Sequence, residues 1–321
     1  SKNIETTLSL NYQFNENHTI GVRYNFQRVP EYHWFANQFA QTYCNDQLYE
    51  DVHSFNTMNE PETYHRSNVY YSGKVKNWSI DFNADGLWSD VKNTQTTKES
   101  IKEGVNGETD RSVTTFDTKQ NELYAAKLVL THPLAKGNLS FGAEYSHNTR
   151  NTTYLNPEGI IANDEAMIKE GATSAFVEYA KAFNQLQVQV GLRYEHIGFD
   201  YYDAGKFVAE QSKVYSNLFP SIAFSFPIKA IQVQLGYASD INRPSYYQLR
   251  SNTFYVNRYA YDKGNPFLMP SITHNVTLGA SYKWMNLYVG YSHVKDDITN
   301  QTVAYSDDDP TIGLLTLHNC P

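Results

Sequence analysis

The connections of this chain alternate strictly between short and long, and that parity restricts the fold more than any other feature of the sequence. Segments in which apolar and polar residues alternate with a period of two, the mark of a strand with one greasy face, recur from end to end. In "TTLSLNYQF" Leu8, Leu10, Tyr12 and Phe14 share a face; after "NENH" Ile20, Val22, Tyr24 and Phe26 do the same, opposite Thr19, Gly21, Arg23 and Asn25. Further pairs are "RSNVYYSGKV" with "NWSIDFNADGLW", "ELYAAKLVLTHPL" with "NLSFGAEYSHN", and "ATSAFVEYAKAF" with "LQVQVGLRYEH". "VYSNLFPSIAFSF" with "AIQVQLGYASD" and "THNVTLGASYKW" with "NLYVGYSHVKDDI" complete the series, and "TIGLLTLHN" adds one more candidate strand. Within a pair the turn is a few residues, as in "AKGN" or "PIKA", whereas links between pairs run to roughly 10 to 40 residues. A soluble sandwich has no reason to sort its loops by parity; an outer-membrane barrel keeps short turns on the periplasmic side and long loops outside.

The stretch "LQVQVGLRYEHIGFDYY" poses the remaining question. Leu186, Val188, Val190, Leu192, Tyr194 and His196 alternate with Gln187, Gln189, Gly191, Arg193 and Glu195, so the greasy side touches either a protein core or lipid. The polar side here, and on the strand carrying Ser79, Asp81, Asn83 and Asp85, suits a wet or plugged interior. An apolar residue, glycine, two residues and tyrosine recur in "IGVRY", "FGAEY", "VGLRY" and "LGASY", which places glycine on the inward face and tyrosine in an interfacial girdle. The expected fold is therefore all-β: an antiparallel up-and-down transmembrane β-barrel to which residues 1–321 contribute about 12 to 13 strands as part of one domain.

Composition removes competing classes. Mean hydropathy is −0.57, and no run approaches the roughly 18 consecutive apolar residues of a membrane helix. A net charge of −8 argues against nucleic acid, which needs a basic stripe. Tyrosine is abundant (26) and methionine scarce (4), a bias towards strands and interfaces. Cys44 and Cys320 are too few for a disulfide scaffold, and the strand reading places them too far apart to bond each other.

Ser239 to Asn300, with "NRPSYYQL", then "GNPFLMPSITHNVTLGASY" and a strand ending in "KDDIT", resembles the barrel of TonB-dependent outer-membrane receptors of Bacteroidota. That resemblance implies a complete barrel of about 22 strands around an N-terminal plug, outer-membrane localisation, and energised uptake of a nutrient such as a glycan, metal chelate, haem or peptide. Its implied partners are outer-membrane lipid, the TonB system acting through the plug, the nutrient ligand and a surface lipoprotein. The plug, a TonB-contacting segment and a closing strand with a terminal aromatic residue find no counterpart in the sequence, which reads as an internal barrel piece.

No catalytic motif is present, neither G-x-S-x-G, H-E-x-x-H, C-x-x-C nor a phosphate loop, so no enzyme activity and no cofactor are expected. His33, His53 and His65, read as members of the first long loop with Tyr32, Trp34, Tyr43 and Tyr49, are too widely spaced for a metal signature. The Asp307, Asp308, Asp309 run reads as solvated loop charge, with calcium as the competing reading. The loop "RSNTFYVNRYAYDKGN" supplies the first candidates for ligand contact, Tyr255, Arg258, Tyr259 and Tyr261, since aromatics stack on flat ligands and arginine binds anions. Trp34 and His33 join them; loop packing is the competing reading for all six. Pro244, Gly264, Asn265, Pro266 and Pro270 read as punctuation that ends one strand and turns the chain into the next. Two other classes compete with the receptor: a passive pore or adhesive barrel, and a soluble carbohydrate-binding or hydrolytic β protein in which Val190 and Leu192 would face a protein core.

Overall fold

A computed structural model describes residues 2–104, 110–306 and 312–320. Those residues form nineteen strands and no helix: β1 (Lys2–Asn15), β2 (His18–Glu31), β3 (His33–Cys44), β4 (Gln47–Asn59), β5 (Glu62–Val75), β6 (Trp78–Gly104), β7 (Arg111–Leu134), β8 (Gly137–Leu155), β9 (Asp164–Phe183) and β10 (Leu186–Asp203). There follow β11 (Lys206–Phe207), β12 (Lys213–Ile228), β13 (Ile231–Asn242), β14 (Thr253–Asn257), β15 (Ala260–Lys263), β16 (Ser271–Tyr282), β17 (Met285–Lys295), β18 (Asp297–Ala304) and β19 (Gly313–Cys320). Twelve of them run side by side in the order β1-β2-β5-β6-β7-β8-β9-β10-β12-β13-β16-β17, each antiparallel to the next. The short turns lie at one end of this wall. Ala135 and Lys136 in one of them both have positive φ (49° and 64°), the backbone that a two-residue type I′ hairpin turn requires.

Register aligns the greasy residues of all twelve strands on one side. Val190 stands opposite Tyr179 and Ile222, Leu192 opposite Val177 and Pro220, and Leu128 opposite Phe82 and Ala143. No protein layer covers them: Val190 is 38 % and Leu192 44 % exposed. A continuous apolar band of this kind is stable only against lipid, which sets aside the soluble alternative. The opposite, lumenal face is wired by polar contacts. Arg66 donates to Asn25 and Gln27, Asn68 to Asp85 and Ser72 to Asp81; Arg193 pairs with Glu195 at 2.7 Å and lies 3.9 Å from Glu144.

Above the band the apolar side changes face. β10 continues without a register break from Gln187 to Asp203, yet beyond His196 the buried residues are Ile197, Phe199 and Tyr201 on the lumenal side. They have a core to join. Ala166, Ile168, Phe199 and Tyr201 pack on Leu249 and Leu268, and Val113, Tyr154 and Ile161 pack on Tyr255 and Tyr261. The elements brought against the wall include a second sheet, β14-β15-β19-β18, with β15 and β19 parallel. At 27 residues β6 far exceeds the 9 to 11 or so needed to cross the membrane. Its lower half pairs with β5 and its upper half with β4, so the wall itself rises into the loop region.

Three expectations are corrected. The first long loop is a hairpin, β3–β4, rather than irregular chain, because β4 finds a ladder on the overlong β6. His65 belongs to β5, outside that loop. The strand "TIGLLTLHN" does not extend the wall: Asp296, at φ 57°, breaks β17 from β18, and β19 folds back on β18 to bring Cys320 opposite Asp297. Cys320 is a free thiol, and the Asp307 to Asp309 run lies outside the described residues.

Candidate functional site

The β14–β15 hairpin is held against the wall by a buried ionic knot. Glu99 faces the lumen from the upper part of β6 and is fully buried. Its carboxylate accepts the Arg258 backbone N–H at 2.9 Å, the Arg258 Nε–H at 3.0 Å and the Tyr255 hydroxyl at 2.9 Å. Glu50 of β4 lies 3.5 Å from the same guanidinium, and Arg111 adds a second cation beside Tyr255 and Glu99. Burial, and then the Glu99 charge, push the Tyr255 phenol well above the ordinary tyrosine range, so it stays a donor. Tyr261 tilts against Tyr255 at 5.6 Å and meets Tyr305 edge-on at 4.7 Å.

Beneath and beside this hairpin lies an open cleft of about 370 Å³ on the lumenal face. Trp34 of β3 forms one side, with Tyr247, Phe254 and Tyr255 on the other. The carboxamides of Gln38, Asn56, Asn93 and Gln95 line the cleft from β3, β4 and β6, and the Asn93 Oδ1 is buried without a partner among the described residues. Lys119 bonds Asp117 at 2.7 Å and stands 3.8 Å from Glu60, so the cleft's charges are largely matched. Arg250 fixes the aromatic side. Its guanidinium sits 3.7 Å from the Tyr247 ring centre and 4.7 Å from that of Phe254, and bonds Asp262 at 2.8 Å. Tyr247 donates its own hydroxyl to Asp262 and keeps an exposed ring.

The segment from Gly264 to Pro270 sets the height of this aromatic side. A side chain at Gly264 would run into the carbonyls of Gln248 and Arg250, so the chains approach there only because the residue is glycine. Asn265 bridges the bend, donating its backbone N–H to Gln248 and its amide to Leu317. Lys213, whose pKa burial lowers to about 8, donates to the carbonyls of Pro266 and Leu268.

Of the six residues singled out from the sequence, Trp34 and Tyr255 meet in the cleft. Arg258 and Tyr261 are buried in the packing beneath the hairpin, Tyr259 is half-buried at its turn, and His33 is exposed beside Glu31 on the other side of β3. Sequence reasoning passed over Tyr247 and the four carboxamides. Tyr247 stands inside "NRPSYYQL", read there only as the start of a loop; its pairing with Arg250 and Phe254 at three and seven residues' distance is the local signal. Among the described residues no group of three His, Cys, Asp or Glu side chains is arranged to hold a metal ion.

Comparison with known structures finds the same fold in the copper transporter OprC (TM-score 0.50, 8% identity, 99% of this chain and 56% of that one). The ferric enterobactin receptor PfeA of Pseudomonas aeruginosa (0.48, 13%, 99% and 55%) and the hemophore receptor HasR of Serratia marcescens (0.45, 12%, 98% and 56%) are also similar. The chain spans a little over half the length of each. No curated protein matches by sequence. The model of the outer membrane protein beta-barrel family matches residues 71–320, which include nine complete strands of the twelve-stranded wall. With its lipid-facing band and one-sided turns, the chain belongs to the outer membrane protein beta-barrel family and resides in the outer membrane.

Proposed function

We propose that this chain forms wall and external loops of a TonB-dependent receptor that takes up a nutrient by energised transport, and that the cleft between Trp34 and Tyr247 is where the nutrient first binds. The observation that carries this reading is the cleft itself. It lies on the lumenal face above the lipid band, and its lining combines two exposed aromatic rings, Trp34 and Tyr247, with four carboxamides and charges that are largely matched. Rigid rings with fixed hydrogen-bonding groups between them select a ligand by shape and do no covalent chemistry. In this reading the remaining strands, the plug and the TonB contact belong to other parts of the receptor, and a surface lipoprotein over the loops is a further partner. Among similar folds, OprC is named for copper transport and PfeA for ferric enterobactin, which makes metal chelates the first ligands to try.

The test is growth on limiting haem, ferric chelates or single glycans in a strain that depends on the complete receptor. Trp34→Ala combined with Tyr247→Ala should raise the nutrient concentration needed by about tenfold or more, while the amount of receptor in the membrane stays the same. Equal growth of the double variant would move the site elsewhere. Uptake that persists without TonB would favour the passive pore.

A further inference from the structure

The wall strands carry seven histidines, His18, His65, His132, His147, His196, His274 and His293, and all seven share a face with the lipid-facing residues. A lumen would hydrate an imidazole freely, whereas the lipid side does so only at the headgroups, so position along the strand becomes informative. His18 and His132 sit at the short-turn end. The other five form a row along the upper rim of the apolar band. His65 stands opposite Trp88, Trp88 donates its indole N–H to Tyr124 at 3.1 Å, and Tyr124 stands opposite His147. Further along, His196 follows Tyr194 and Leu192 on the same face of β10, and His274 stands opposite His293.

Three of the five rings in this row are held in a common way. His65 Nδ1 is bonded to the Tyr24 hydroxyl at 2.7 Å, His274 Nδ1 to the Tyr237 hydroxyl at 3.0 Å, and His196 Nδ1 to the Ser216 hydroxyl at 2.9 Å. When a hydroxyl donates to Nδ1, the neutral ring carries its proton on Nε2. In these three rings Nε2 has no hydrogen-bond partner among the described residues, and it can direct an N–H donor away from the protein. His147 uses Nε2 towards Thr149 at 3.3 Å, and His293 is exposed. Arg28 and Lys295 add cations just above the row, and Glu122, beside Trp88, is a carboxylate on the same face.

We propose that this row is a binding surface for the phosphorylated headgroups of outer-leaflet lipid, with the imidazole Nε2–H groups donating to phosphate oxygens. The occupant follows from place and chemistry. The row lies on the long-loop side of the band, at the depth where acyl chains end, and outer-leaflet glycolipid presents phosphate there. Tyrosine and tryptophan alone would make an ordinary interfacial girdle; the fixed imidazoles add donors matched to an anion.

The test uses the complete receptor extracted in mild detergent, with co-purified lipid A counted by native mass spectrometry. The variant H65F/H147F/H196F/H274F/H293F keeps rings at each place and removes the donors. Retained lipid A should fall by about fivefold or more, whereas H18F/H132F should retain as much as the parent. Equal retention by the five-site variant would overturn the proposal. Should that variant fail to assemble, the parent receptor decides, labelled with ¹⁵N-histidine in phosphatidylcholine nanodiscs containing lipid A or its dephosphorylated form. Movement of the rim Nε2 resonances with the phosphate supports the proposal; unmoved resonances, or the same movement with free inorganic phosphate, reject it.

Discussion

Replacing Val190 by arginine is expected to cost the barrel about 2–4 kcal/mol, the penalty of a charge on the lipid side near the bilayer midplane. Val190 lies in the middle of the β10 band, between Val188 and Leu192, with Tyr179 and Ile222 beside it and nothing over it. An arginine there has no lumenal water within reach, and the girdle of Tyr194 and His196 is four or more residues away along the strand. Gln189→Arg one residue earlier supplies the control. Its side chain enters the lumen opposite Ala180 and Ala223 and should change stability by about 0.5 kcal/mol or less. The readout is gel mobility of the complete receptor with and without boiling, followed through a urea series. Equal midpoints for the two variants would mean that the band does not face lipid.

The same strand shows how far the sequence could be read. Alternation from Leu186 to His196 disclosed a lipid-facing edge, and the segregation of turn lengths disclosed which end of the wall is which. The twelve wall strands follow from those two signals. From Ile197 onward the apolar residues switch to the other parity, Ile197, Phe199 and Tyr201, although the ladder runs on unbroken. A period of two is blind to that change of surroundings, because lipid outside and protein inside both reward an apolar side chain. β3 carries aromatics on both parities, Trp34 on one and Phe35 and Phe39 on the other, so it showed no strand period. β14 and β15 have five and four residues, and the parallel partner of β15 lies some fifty residues away, too short and too distant for a local pattern. The loop "RSNTFYVNRYAYDKGN" stood out by its residue types, yet which of its side chains line the cleft depended on partners elsewhere. Arg258 finds Glu99 at a separation of 159 residues.

Removing that partner should have the largest effect in the loop region. In Glu99→Ala the Arg258 guanidinium, its side chain only 3% exposed, loses the carboxylate that takes its Nε–H, and Arg258 N–H and Tyr255 O–H lose their acceptor as well. Glu50 still lies 3.5 Å from Arg258, with Arg111 nearby. Breaking a buried pair by deleting one member typically costs 3–5 kcal/mol, because an uncompensated charge is left in low dielectric. That energy falls on the hairpin. The wall below Val91 is held by its own ladders with β5 and β7 and by lipid, neither of which involves Glu99. The receptor should therefore keep its heat-dependent gel mobility, while amides of Tyr255 to Tyr261 exchange about a hundredfold faster or more. The peptide bonds around Arg258 should open to trypsin in intact membranes. Glu99→Gln should fall between, since its amide oxygen still accepts a bond but carries no charge. A hairpin equally protected in Glu99→Ala and the parent would show that the apolar contacts of Tyr255 and Tyr261 with Val113 and Tyr154 hold it without the ionic knot. With the hairpin loosened, Tyr255 and Phe254 leave one side of the cleft, so nutrient capture should weaken together with amide protection.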